Sequence, residues 1–284
     1  MKVPTPGRSV VGRARVVFVL ECVINISEGH DGPRLWAVVS AAGDAVLDVH
    51  HDEHHHRAVL TLAGTGVEAA AREVARAAVA ILDLPGHVGV HPRIGVVDVV
   101  PFVPLDDSSM DDAIAARNAF AAWAGLELDL PCFLYGPERS LPDVRRDAFA
   151  ALTPDTGPAA PHPTAGACAV GARGVLVAYN LWLADRDLST AKAIAKNVRS
   201  PAVRALGLQV GDAVQVSCNL VAPHDVGPAA IYDLVARTAD VARAELVGLL
   251  PRDVLLAVPP ARWEALGLSD DRTIEAGVER LLRR

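Results

Sequence analysis

Positive charge is in short supply in this sequence. Its 284 residues carry 27 Lys and Arg against 34 Asp and Glu, a formal net charge of −7. No basic footprint therefore argues for a nucleic-acid surface, although local arginines can still hold a small anion on an acidic protein. Long apolar runs are also lacking: none approaches the roughly 18 residues that a membrane span needs. The first fifteen residues, MKVPTPGRSVVGRAR, have no apolar signal-peptide core. They read as a flexible lead-in (1–15), and the expected location is the cytoplasm. The four cysteines, Cys22, Cys132, Cys168 and Cys218, form no CxxC pair. Buried free thiols in a reducing compartment are expected.

The familiar catalytic signatures are missing as well. There is no GxSxG elbow, no GxxxxGK[ST] phosphate loop, no GxGxxG turn and no HExxH helix. Hydrolase, NTPase and dehydrogenase readings lose their usual support. Aromatics are only 4%, yet hydrophobic residues make up 51%, so the core must be built from Ala, Val and Leu. That is globular composition, with length for one large domain or two modest ones.

Apolar periodicity orders the elements. Strands are expected at 16–23, 45–49, 58–63 and 94–103, with helices at 33–42 and 67–84. In the second helix Val67, Val74, Ala78, Ile81 and Leu82 share one face, leaving Glu68, Arg72, Glu73 and Arg76 for the wet side. A helix at 111–123 is capped by Ser108 or Ser109 and ends before Gly125. A strand follows at 128–135, then a long Pro- and Gly-rich irregular stretch from 136 to 166. The second half repeats the order: strand 174–179, helix 189–198 with Ser189 as N-cap, a strand within 205–210, strand 213–220, helix 229–242 and strand 245–250. One or two extra helices are expected in 252–284. Each half thus reads β-α-β-β-α-β. The fold class is α+β: two ferredoxin-like subdomains, 16–173 and 174–284, with a ligand groove between them.

Four segments carry candidate chemistry. In VINISEG (23–29), Asn25, Ser27 and Glu28 sit where a strand meets a helix, placed for an anion or for plain turn chemistry. DVHHDEHHHRAVLT (48–61) packs five histidines among acidic residues; a metal site, a solvated loop and a substrate-facing loop all stay open. In GHVGVHPRIGVVDVVPFVP (86–104), Gly86 and Gly89 allow tight turns. Pro92 biases His91 toward an extended backbone, and an imidazole is the side chain suited to take a proton near neutral pH. Arg93 suits a carboxylate, and Asp98 can orient a histidine or hold the loop. In 153–173, Gly157, Gly166 and Gly171 offer backbone against which a flat ligand could lie, with His162 and Arg173 as polar contacts.

Nine motifs in order then carry a resemblance: ECVINISEG, LDVHHDEHHHRAVLTLAG, GHVGVHPRIGVVDVVPFVP, PCFLYG, PDTGP, GACAVGAR, LVAYNLWL, AVQVSCNL and AELVGLLP. Together they resemble the formiminotransferase domain of glutamate formimidoyltransferases, over about residues 18–256. The resemblance implies a two-lobed α/β fold, homodimers, and transfer of a formimino group between tetrahydrofolate and glutamate. It makes His91 the general acid/base. Its folate-contacting segment falls on Gly157, Pro158, Ala159, Ala160, Pro161, His162, Pro163, Thr164, Ala165 and Gly166. Expected substrate contacts are Asn25, Glu28, His50, His56, Arg57, Gly89, Arg93, Asp98, Arg173 and Asn180, and no metal is expected. Ile24 replaces the family's usual proline, His56 replaces the Asn of an Asn-Arg pair, and His50 replaces an acidic residue. Those last two changes keep alternatives open: use of 5-formyltetrahydrofolate, a different amine acceptor, or a non-catalytic folate- or metal-binding protein on the same scaffold.

Overall fold

The computed structural model describes residues 19–90, 92–105, 107–185 and 187–283. The 1–15 lead-in and the start of the first expected strand lie outside them, as does His91.

The first half builds a six-stranded sheet. Its strands are β1 (Val19–Ile26), β2 (Val46–Asp52), β3 (Arg57–Gly64), β4 (Val97–Leu105), β5 (Cys132–Tyr135) and β6 (Cys168–Ala172), in the order β2-β3-β1-β4-β6-β5. The pairs β2–β3, β3–β1 and β1–β4 are antiparallel, while β4–β6 and β6–β5 are parallel. Helices α1 (Gly32–Ser40), α2 (Val67–Ile81) and α3 (Met110–Glu127) accompany it. β1 shows how one strand builds two environments, because alternate side chains point to opposite faces. Cys22, Ile24 and Ile26 enter the core with α1 and α2, whereas Glu21, Val23 and Asn25 face a cavity on the other side. On α2, buried Val67, Ala71, Val74, Ala75 and Ala78 follow helical spacing. On its outer side Glu68 accepts from Arg72 at 2.6 Å, and the Arg72 and Arg76 guanidinium groups lie over the Trp123 ring at 5.3 and 5.2 Å.

The second half builds a four-stranded antiparallel sheet from β7 (Val177–Leu183), β8 (Val203–Val210), β9 (Ala213–Leu220) and β10 (Val241–Val247), in the order β10-β7-β9-β8. Helices α5 (Leu188–Val198) and α6 (Pro228–Ala236) pack on one face through Ala191, Ile194, Ile231 and Val235. The other face carries Ala178, Asn180, Ser217 and Asn219 into the same cavity. The layers are helices, sheet, groove, sheet, helices. The two β-α-β-β-α-β units share one strand order: fourth, first, third, second. Helices α7 (Arg252–Leu256) and α8 (Ile274–Leu282) close the chain, with Gly277 of α8 seated against Leu47 of β2.

Several expectations need correction. The 136–166 stretch is not wholly irregular: it contains α4 (Leu141–Asp147), capped by a reciprocal Ser140–Asp143 capping box. Helix α3 does not end before Gly125 but runs through it, because the residue packs on the backbone of Gly157, 2.6 Å from where a Cβ would sit. The N-cap of α5 is Asp187, whose carboxylate accepts from the N–H groups of Ser189 and Thr190. The helix expected to reach 242 stops at Ala236, and β10 begins at Val241. Register with β7 claims those residues, and Gly248, at φ +78°, turns the chain out of the strand.

Candidate active site

The groove between the sheets encloses about 750 Å³. Its six-stranded wall is apolar at the centre, with Val23, Val59, Val99, Pro101 and the ring of Tyr135. Tyr135 lies flat on Gly171, where a Cβ would sit 2.1 Å from the ring. The flat group that Gly171 accommodates is thus the protein's own side chain, not a ligand. Six arginines line the groove: Arg57, Arg145, Arg146, Arg173, Arg199 and Arg204. Against them stand two lining carboxylates, Glu21 and Asp52. Such a cavity attracts anionic groups of a small molecule while offering a flat apolar floor.

Of the expected contacts, Asn25, Arg57, Arg173 and Asn180 meet in this groove. Asn25 and Val59 are register partners on β1 and β3, which sets them side by side. Burial draws the Arg57 guanidinium down to about 10, with Asp98 opposing the shift. Asp98 is buried and holds Arg145 at 2.6 Å while accepting the Ile94 N–H at 2.7 Å. Arg145 in turn donates to the Pro92 carbonyl at 2.9 Å. Asp98 therefore fixes both a groove arginine and the backbone that follows His91. His91 itself lies outside the described residues; its neighbour Pro92 lines the groove.

The remaining expected contacts lie outside the groove lining, His50 on β2 and Glu28, His56, Gly89 and Arg93 in loops beside the groove. Glu28 accepts from the backbone N–H groups of His30 and Asp31 at 2.8 and 2.9 Å and meets His56 Nε2 at 3.2 Å. Burial opposes its ionisation, but those partners outweigh burial and hold the carboxyl below its ordinary value. His56, at φ +47°, is stacked between His30 and His87 with ring centroids 4.0 and 3.8 Å apart. Burial and the neighbouring Arg93 depress His87 to about 4. Arg93 donates to the carbonyls of His55 and His56 at 2.9 and 3.0 Å. Gly89 is required there, since a Cβ would lie 2.6 Å from the His55 carbonyl oxygen. His50 sits 4.0 Å from Glu245, and burial draws its pKa down against that carboxylate's pull. Among the described residues, no group of three or more His, Cys, Asp or Glu side chains is arranged to hold a metal ion.

The segment from Gly157 to Gly166 also stays out of the groove lining. Leu84 donates to the Thr164 carbonyl at 2.7 Å, Val96 to Ala165 at 2.9 Å, and Gly166 bridges Gly95. It is thus laced to both ends of the glycine-rich 86–95 loop. His162 organises its turn by accepting the Ala165 N–H at Nδ1, 2.9 Å away.

Sequence reasoning missed three groove features. Arg145 and Arg146 ride on α4, and the S-x-x-D capping box at 140–143 was the signal available. Asp52 and His55 form a pair, with Nδ1 2.8 Å from the carboxylate. That hydrogen bond, more than any other cause, holds the Asp52 carboxyl well below the usual range. The other ring nitrogen of His55 meets the side-chain nitrogen of the buried Gln215 on β9 at 3.0 Å. The third feature is Glu21, a lone charge inside the apolar run VVFVLECV.

These features define a class: an α+β protein of two facing sheets whose arginine-lined groove suits an anionic small molecule with a flat apolar part. Comparison with known proteins is more specific. Residues 19–173 match the formiminotransferase domain, N-terminal subdomain, and the chain belongs to the formiminotransferase family. It is 31% identical over 300 residues to the glutamate formimidoyltransferase of Thermoplasma acidophilum, covering 92% of this chain and 98% of that protein. To the enzyme of the same description from Streptococcus pyogenes it is 32% identical, covering 84% and 91%. With the formimidoyltransferase-cyclodeaminase of Gallus gallus it shares 33% identity over 84% of this chain, but spans only 51% of that protein.

Proposed function

We propose that this chain is a one-carbon transferase that moves a formimino group between tetrahydrofolate, its cosubstrate, and glutamate in the groove between the two sheets. The observation that carries this is the groove itself: a flat apolar floor, clustered arginines, and Pro92 of the HPR segment in its wall. Both substrates bring carboxylates, and guanidinium groups are suited to grip them. Reduced folate also brings a ring that needs an apolar surface. Arg57 and Arg173 hold carboxylates, while Asn25 and Asn180 supply neutral hydrogen-bonding groups from facing walls. His91 takes the proton from the attacking nitrogen as the new C–N bond forms. It returns that proton to the nitrogen that leaves. Fixing both reactants in one groove supplies much of the rate.

The other expected contacts support the machinery from outside. Glu28, His56, Gly89 and Arg93 brace the loop that carries His91, and Asp98 anchors its exit. The segment 157–166 braces the same loop from its far side and forms the outer border of the folate site. The shared strand order supports two ferredoxin-like subdomains, 16–173 and 174–284. The family supports a cytoplasmic homodimer working in histidine degradation. A transfer assay tests the function: purified protein with formiminoglutamate and tetrahydrofolate should yield 5-formiminotetrahydrofolate by mass spectrometry. Folate binding without transfer to or from glutamate would reject it and turn attention to other amine acceptors.

A further inference from the structure

Glu21 has no place in the mechanism above, yet it occupies the groove floor. It sits on β1, on the same face as Val23 and Asn25, and is 4% exposed. Its register partners Ala63 and Val103 are apolar. No hydrogen bond or ion pair reaches its carboxyl from the described residues, and only Arg173, at the end of β6, and Glu275, on α8, act on it from a distance. Burial pushes it up to about 7. A buried carboxyl without a donor is costly, and such a group facing a cavity calls for a ligand that brings one.

We propose that Glu21 anchors the pterin ring of the reduced folate by accepting from the fork of two N–H donors formed by its 2-amino group and N3. This rests on the folate reading above and specifies the orientation of the ring. A carboxylate takes two parallel N–H donors on one carbon in bidentate fashion, with the geometry it uses for a guanidinium. Glu21 and Asn25 are four residues apart on one strand, about 13 Å along the groove. The Asn25 end carries Arg57 and, through Asp98 and Pro92, Arg145. A reduced folate carries its donor fork at one end of the ring system, while its reacting nitrogen and carboxylate-bearing tail lie toward the other. Pinning the fork at Glu21 sends the ring over Val23 and directs the reacting nitrogen and tail toward Asn25, Pro92, Arg57 and Arg145. The reverse orientation sets carboxylates against Glu21. The formimino group of the other substrate also presents an N–C–N donor pair, so the experiment must separate the two.

The test uses the intact protein and two probes, tetrahydrofolate and its 2-desamino analogue, with dissociation constants measured by calorimetry. Wild type should bind tetrahydrofolate about 30-fold more tightly than the analogue, the scale of one charged hydrogen-bond pair. Glu21→Gln should lose about that factor for tetrahydrofolate, bind both folates alike, and keep its KM for formiminoglutamate. Equal binding of the two folates by wild type overturns the assignment, and needs no variant to fold. A Glu21→Gln effect confined to the KM for formiminoglutamate overturns it too. Failure of wild type to bind either folate removes the folate reading itself, a different result from equal binding.

Discussion

The two walls of the groove differ in kind. The six-stranded wall carries ionisable groups: Glu21 on β1, Asp52 and His55 at the β2–β3 turn, Arg57 on β3 and Arg173 after β6. At the centre of the four-stranded wall the polar groups are neutral: Asn180, Ser217 and Asn219, with Leu206 and Leu208 beside them and arginines only toward its β8 edge. One wall thus concentrates titratable and charged groups, the other neutral hydrogen-bonding and apolar ones. The division follows packing. Helices cover the far face of both sheets, so both groove faces were open to polar residues, but only the first sheet has long loops folded back on its edge. Those loops supply Arg145, which pairs with Asp98 of β4, and the histidine stack.

The largest effect that could break this comparison comes from His91. His91→Ala should cut kcat about 10³-fold while folate binding persists. A similar loss from Ser217→Ala would spread the chemistry over both walls. Next is the buried pair: Arg145→Ala leaves the buried Asp98 carboxylate without its guanidinium partner and should lower unfolding stability by about 3 kcal/mol, read by denaturant titration. The effect of Glu21 is smaller and pH-dependent. Its folded pKa of about 7 lies above the ordinary 4.5, so the native state holds a proton that the unfolded chain releases. The Glu21 contribution to ligand-free stability should be full below pH 4.5 and be lost as pH rises through 7, a change on the order of 3 kcal/mol. Urea unfolding at pH 5 and pH 8 measures the drop, and Glu21→Gln should flatten it; an undiminished drop would mean other groups dominate. Smallest of all, Asn219→Ala on the neutral wall should raise KM less than about tenfold and leave kcat within about twofold.

Much of the scaffold was legible because period and composition agree locally. AVQVSCNL is expected as a strand at 213–220 and forms β9 with those bounds. Ser109, expected as one of two caps, closes α3 with a capping box. The misses came where tertiary contact overrides a local signal. Gly125 reads as a helix stop but serves as a landing for Gly157. Proline density masked α4, although Pro142 is tolerated in a first turn. Among the site residues, types were legible and partners were not. Arg93 reads as a carboxylate ligand, yet in the fold its donors meet the carbonyls of residues 55 and 56. His55 was one of five histidines in a run, and only burial against Gln215, 160 positions away, sets it apart.

Taken alone, the sequence determined the duplicated β-α-β-β-α-β plan and the family, since each rests on local spacing or ordered motifs, but neither α4 nor β6 was legible in it. Only the tertiary structure decided which polar residues face one another. Alternation along β1 put Glu21, Val23 and Asn25 on one face, but that face became a groove only when a second sheet closed over it. The worth of a carboxyl such as Glu21 depends on the solvent and the donors it loses, and those are set by chain segments far away in sequence.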